Sequence, residues 1–96
     1  MAKFYAIETL NEIATSNRND PIFQHKRGQV LFSCEYVRWF DTKKERDEYV
    51  DSYDKQGDPI VDEAGEEVSR QEWSARKATA REAQKVVSAN KYMYGV

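Results

Sequence analysis

Ser69-Arg70-Gln71-Glu72-Trp73-Ser74-Ala75-Arg76-Lys77-Ala78-Thr79-Ala80-Arg81-Glu82-Ala83-Gln84-Lys85-Val86-Val87-Ser88-Ala89-Asn90 is the stretch whose secondary structure decides the fold. Ser69 and Glu72 stand three apart as a capping box, in which hydroxyl and carboxylate satisfy two orphan amide donors. Neither Pro nor Gly follows until Gly95, so the spacing predicts one long helix from Ser69 to about Asn90. Trp73, Ala80 and Val87 recur every seven residues, joined by Ala83 and Val86, as a stripe for burial. Lys77, Arg81 and Lys85 recur every four on another face, as a basic stripe with Arg70 and Arg76 nearby. A coiled coil fits poorly, because the second seam position would hold Arg76, Ala83 and Asn90.

Upstream of that helix the chain turns acidic. Ile60-Val61-Asp62-Glu63-Ala64-Gly65-Glu66-Glu67-Val68 reads as a tight hairpin about Ala64-Gly65, with four carboxylates at its tip and arms too short to be stable alone. Further back, Thr42 and Glu45 form another capping box, which predicts a short helix from Thr42 to about Tyr53 with Tyr49, Val50 and Tyr53 inward. Gly57, inside Asp54-Lys55-Gln56-Gly57-Asp58-Pro59, reads as the breaker after it.

The first forty residues are strand-rich. The apolar run Phe4-Tyr5-Ala6-Ile7, rich in aromatic and β-branched side chains, predicts a strand over Lys3 to Thr9. Thr15 to Pro21, with its Asn and Asp residues, reads as a loop that Leu10 and Ile13 anchor. Ile22-Phe23-Gln24 and Gln29 to Phe40 flank His25-Lys26-Arg27-Gly28 and read as a hairpin, with Gly28 supplying a positive φ. On the long strand, alternation assigns Val30, Phe32, Cys34, Tyr36 and Phe40 to the core and Leu31, Ser33, Glu35, Val37 and Trp39 to a mixed face, with room for a bulge at Ser33 to Glu35.

Together these elements predict a single α+β domain spanning residues 1–96. It has a small antiparallel sheet of three to four strands, a short helix, an acidic β-hairpin and a long C-terminal helix across one sheet face. Leu, Ile, Val and Phe number only eighteen, while twelve aromatics supply larger areas, so a thin core is expected. Such a core, and the apolar ending Lys91 to Val96, suit a homodimer or a docked partner.

Charge is sorted into blocks beneath a net value of −2. Residues 41–68 carry eleven acids against four bases, and residues 69–96 carry six bases against two acids. Sorted charge favours a polar contact surface over a catalytic pocket, unless the blocks pair with each other inside the molecule. Neither catalytic nor cofactor-binding nor metal-ligating residues are assigned. His25 is the single histidine and Cys34 the single cysteine, too few for a zinc site. The proposed hairpin also keeps that pair apart, so no nucleophile finds a base. Asp54, Asp58, Asp62 and Glu63 lack the spacing of a calcium loop, and no Gly-rich phosphate loop occurs. No segment is long and apolar enough for a membrane span or a secretory leader, and the lone cysteine fits a reducing, cytoplasmic setting.

These exclusions leave an interaction protein, expected to be non-enzymatic. Its docking residues are expected at Glu63, Glu66 and Glu67 on the hairpin, Arg38 and Trp39 on the long strand, and Lys77, Arg81 and Lys85 on the last helix. A protein partner is expected, and nucleic acid bound along the basic stripe is the alternative. In size, scarcity of leucine and abundance of tyrosine, the chain resembles accessory proteins of phages and mobile elements, including anti-CRISPR and other host-inhibitory proteins. The likeness is one of general character and assigns no residue.

Overall fold

A computed structural model describes residues 3–89. The chain order is β1 (Phe4–Ala14), β2 (Arg18–Asn19), β3 (Gln24–His25), β4 (Val30–Phe40), α1 (Lys43–Asp51), β5 (Pro59–Val61), β6 (Glu67–Ala78) and α2 (Ala80–Ala89). A four-stranded antiparallel sheet has the order β4-β1-β6-β5, and β2 and β3 form a separate two-stranded ribbon. The α+β class is therefore as expected. Of the described residues, 3–9, 35–54 and 74–89 gather in one compact unit, and 10–34 and 55–73 in a second.

The decisive stretch divides where a continuous helix was expected. Residues 67–78 are strand, and the C-terminal helix is short, running only from Ala80 to Ala89. Alternation explains this: Gln71, Trp73 and Ala75 are partly covered while Arg70, Glu72, Ser74 and Arg76 are exposed, the period of a strand. Ser69 caps nothing and is buried in β6. The working capping box lies ten residues on, where Thr79 Oγ1 accepts from Glu82 N at 3.2 Å and Thr79 N donates to Glu82 Oε1 at 3.0 Å. The chain ending Lys91 to Val96 lies outside the described residues.

Strand pairing also departs from the expected hairpin. β3 pairs with β2, Arg18 opposite His25 and Asn19 opposite Gln24. β4 lies instead beside β1, which reaches Ala14 rather than stopping at Thr9. The turn between β3 and β4 closes by Gln29 N donating to Lys26 O at 3.0 Å, with Gly28 at φ 89°, a value that glycine adopts without strain. Ala14 N then donates to Gln29 O at 2.9 Å and Gly28 N to Ala14 O at 2.8 Å, which ties β4 to β1. As an outer strand without a helix in its unit, this part of β4 leaves Val30 and Phe32 more than half exposed, not in the core as alternation alone implied.

In the first unit, Ile7 packs with Ala78 and Val86, and Tyr5 and Val37 close around them. Glu8, the next residue along β1, meets Tyr49 and Tyr53 on the α1 side. Since neighbouring strand residues point to opposite faces, α2 covers one face of this unit's sheet and α1 the other. That is why Val37 joins the core although it alternates with Phe40, whose ring meets Tyr49 at 5.2 Å on the α1 side. Among the described residues the buried apolar side chains are Ala6, Ile7, Ala14, Val68, Ala78, Ala83 and Val86, so the core is thin and alanine-rich.

α1 follows its expected start closely. Thr42 is the N-cap, its hydroxyl accepting from Glu45 N at 3.2 Å. The helix ends on Ser52, whose N–H donates to Glu48 O at 3.0 Å, so Gly57 is not its terminator. Gly57 serves the second unit instead: a Cβ there would lie 1.7 Å from the Gln71 carbonyl oxygen, so only glycine permits the backbone approach that precedes β5.

Candidate functional site

The acidic hairpin forms as expected between β5 and β6, with a register shift at Ile60/Val61 and Gly65 at φ 82°. Asp62 organises its loop. Its Oδ1 accepts from Ala64 N and Glu66 N, both at 2.9 Å, while its own N–H donates to Glu66 O at 2.9 Å. Its Oδ2 accepts from Arg18 Nη1 at 3.0 Å. The backbone donor of Glu66 first, then Arg18, holds the Asp62 carboxyl below its ordinary value.

Arg18 joins this loop to the segment before β3. Its Nε donates to Asp20 Oδ2 at 3.1 Å and its guanidinium lies 5.3 Å from the Phe23 ring centre. Asp20 Oδ1 in turn accepts from Ile22 N at 3.1 Å and Phe23 N at 2.7 Å, an Asx-type turn that fixes the Pro21-Ile22 corner. The Phe23 amide first, then Arg18, keeps Asp20 below the ordinary carboxylate range. Between corner and hairpin lies an open groove of about 510 Å³, lined by Pro21, Ile22, Phe23, Val61, Glu63 and Ala64 together with the Arg18 bridge. Ile22 is 80% exposed and Val61 53%, an unusual extent of apolar surface beside a fixed polar scaffold.

The expected docking residues fall into both units. Glu63 and Glu66 are exposed on the hairpin and make no ion pair among the described residues, whereas Glu67 is bound by Arg70 at 2.6 Å. Lys77 is on β6, not on a helix, because the stretch holding it has strand period. The expected basic helix face therefore loses its first member. Lys77 Nζ sits 3.4 Å from Asp51 and 3.8 Å from Asp47, and Arg76 lies between Glu82 at 2.7 Å and Glu35 at 3.7 Å. Part of the charge sorting is thus consumed within the molecule. Arg81 and Lys85 stand one turn apart on α2, with no ion pair among the described residues. Trp39 is exposed, with the Lys3 ammonium 4.5 Å from its ring centre.

Arg38 leads to a group that the sequence alone did not single out. Its Nη2 donates to Glu8 Oε1 at 2.9 Å, and Glu8, only 2% exposed, also accepts from Tyr49 at 3.4 Å and from the Tyr53 hydroxyl. Burial first, then the hydrogen bond to Glu8, pushes the Tyr53 phenol far above its ordinary value, and Glu8 raises Arg38 likewise. Tyr53 keeps its proton into the alkaline range and acts as a donor that ties the segment after α1 to β1. The visible signal was an acid two residues after Ala6 on the same strand face, with tyrosines at i and i+4 on the helix expected from Thr42 to about Tyr53.

Among the described residues, no three His, Cys, Asp or Glu side chains group as metal ligands, and no helix is long and apolar enough to cross a membrane. No family model, curated protein or solved structure matches the chain.

Proposed function

We propose that the protein is a non-enzymatic interaction module that docks on a protein partner through the β5–β6 hairpin and the groove beside it. The observation that carries this reading is the pairing of exposed Ile22 and Val61 with free carboxylates at Glu63 and Glu66. An apolar centre with a charged rim is the anatomy of a recognition surface. The matching partner presents an apolar side chain flanked by lysine or arginine. The Arg18 bridge holds both walls of the groove before binding, which lowers the ordering cost of association. Cytoplasmic inhibition of a host factor, the role of the phage and mobile-element proteins the chain resembles in character, is the physiological use we attach to this docking. The retained cations Arg81 and Lys85 are two on a short helix, a smaller basis for the nucleic-acid alternative than a continuous basic stripe.

Site-specific photocrosslinking tests the reading. A photoreactive residue at position 22 or 61, in the host cytosol, should give one discrete adduct that Glu63→Lys with Glu66→Lys abolishes. The same probe at exposed Lys44 on α1 should give none. Adducts independent of the two carboxylates, or an identical pattern from position 44, would refute the groove as the docking site.

A further inference from the structure

The β2–β3 ribbon carries a second concavity of about 660 Å³, bordered by Asn17, Asn19, Gln24, Lys26 and Gln29, with His25 and the shared Arg18 in its wall. No carboxylate lines it. Its amide side chains are oriented by the backbone: Asn17 Oδ1 accepts from Arg27 N at 2.8 Å, and Gln29 Oε1 accepts from Lys26 N at 3.1 Å. With those oxygens bonded to the backbone, the NH₂ group of each side chain remains as a donor. Arg18 uses Nε and Nη1 on its two aspartates, which leaves Nη2 as a further donor. Lys26 and Arg27 make no ion pair among the described residues, unlike Arg70 in the same unit. His25, only 7% exposed, keeps a buried Nε2 without a hydrogen-bond partner in the wall. Free donors and uncompensated positive charge around an open cleft call for an oxyanion with several acceptor oxygens.

We propose that this cleft binds a phosphate group, carried by a small phosphate compound or by a nucleic-acid strand. Lys26 in the lining supplies charge, with Arg27 next to it along the turn adding to the local field, the NH₂ groups of Asn17 and Gln29 supply directed hydrogen bonds, and the cross-strand amides Asn19 and Gln24 stand where the rest of a nucleotide would lie. The site shares only Arg18 with the hairpin groove and does not depend on the docking reading.

NMR titration of the whole chain with inorganic phosphate, adenosine monophosphate and a short oligothymidylate distinguishes the sources. The side-chain amide signals of Asn17 and Gln29 should shift saturably. Lys26→Ala with Arg27→Ala should weaken binding about tenfold or more, the scale of one lost charge-assisted hydrogen bond. Lys44→Ala, remote in sequence and equally exposed, should leave binding unchanged. If the oligonucleotide binds more tightly than the mononucleotide, and its log–log salt slope falls by about 0.7 for each cation removed, a strand is the ligand. If all three probes bind alike, a lone phosphate group is. Failure of every probe to move the Asn17 and Gln29 signals at low salt overturns the proposal. So does binding that survives loss of Lys26 and Arg27, or that Lys44→Ala weakens equally.

Discussion

Replacing Tyr53 with phenylalanine removes one hydroxyl and leaves the ring packed 5.7 Å from Tyr49. The carboxylate it served, on Glu8, is 2% exposed and cannot turn to water for a substitute. A hydrogen bond to a charged group contributes about 2 kcal/mol. Tyr53→Phe should therefore lower stability by about 2 kcal/mol, which for a domain of this size is a fall in Tm of roughly 8–16 °C. In urea the midpoint should drop by about 1–2 M at an unchanged m-value. Tyr49→Phe is the internal control: its hydroxyl lies 3.4 Å from Glu8, at the outer limit of hydrogen bonding, so its loss should cost about 1 kcal/mol or less. Arg38 is 51% exposed on its side chain and can be hydrated if released, so it does not set the scale of the effect. The alkaline limb supplies an independent check. Above the ordinary tyrosine value of 10.0 the unfolded chain loses this proton while folded Tyr53 keeps it. The folded state then binds more protons, so wild-type stability falls as pH rises beyond that value and is complete below it. Tyr53→Phe should flatten that decline. Equal costs for the two tyrosines, or a midpoint for Tyr53→Phe indistinguishable from wild type, would refute the assignment of Tyr53 as the principal hydroxyl donor to Glu8.

Two other outcomes follow from the same geometry. Gly57→Ala should destabilise by about 1–3 kcal/mol and loosen β5 from β6, because the added carbon meets the Gln71 carbonyl oxygen; hydrogen exchange at Gln71 N, which donates to Asp58 O at 3.0 Å, reports the loosening. In acid, the Asp47 contribution to stability should be constant above the ordinary aspartate value of 3.8 and decline as pH falls toward 2, since hydrogen bonds from Lys43 and then Arg46 lower Asp47 to about 2. Asp47→Asn should shallow that decline in a urea series across pH, and an unchanged slope would mean that Asp47 is not its source.

Local signals were legible wherever a few neighbouring residues settle the geometry among themselves. The Thr42–Glu45 start of α1, the positive φ of Gly28 and Gly65, and the Asp62 to Glu66 hairpin are all of this kind. The thin core was legible too, because composition limits the apolar area available. Ser69 to Ala78 was not. One Ser/Thr-x-x-Glu box opens that stretch at Ser69 and another follows directly after it at Thr79, and nothing local ranks them. The ranking comes from strands β1 and β5, whose backbone donors and acceptors are satisfied by β6 on both sides. Thr15 N donating to Val68 O at 3.1 Å and Gln71 N donating to Asp58 O at 3.0 Å are bonds a helix there would forfeit.

The sequence by itself determined the acidic hairpin, the first helix and the class of fold, because capping, turn chemistry and composition act over a few residues. Tertiary structure alone decided that Ser69 to Ala78 extends, that β4 pairs with β1, and that Glu8 is buried beneath Tyr53. Those outcomes depend on which distant backbone edges and side chains meet, and a single strand's pattern carries no record of its neighbours.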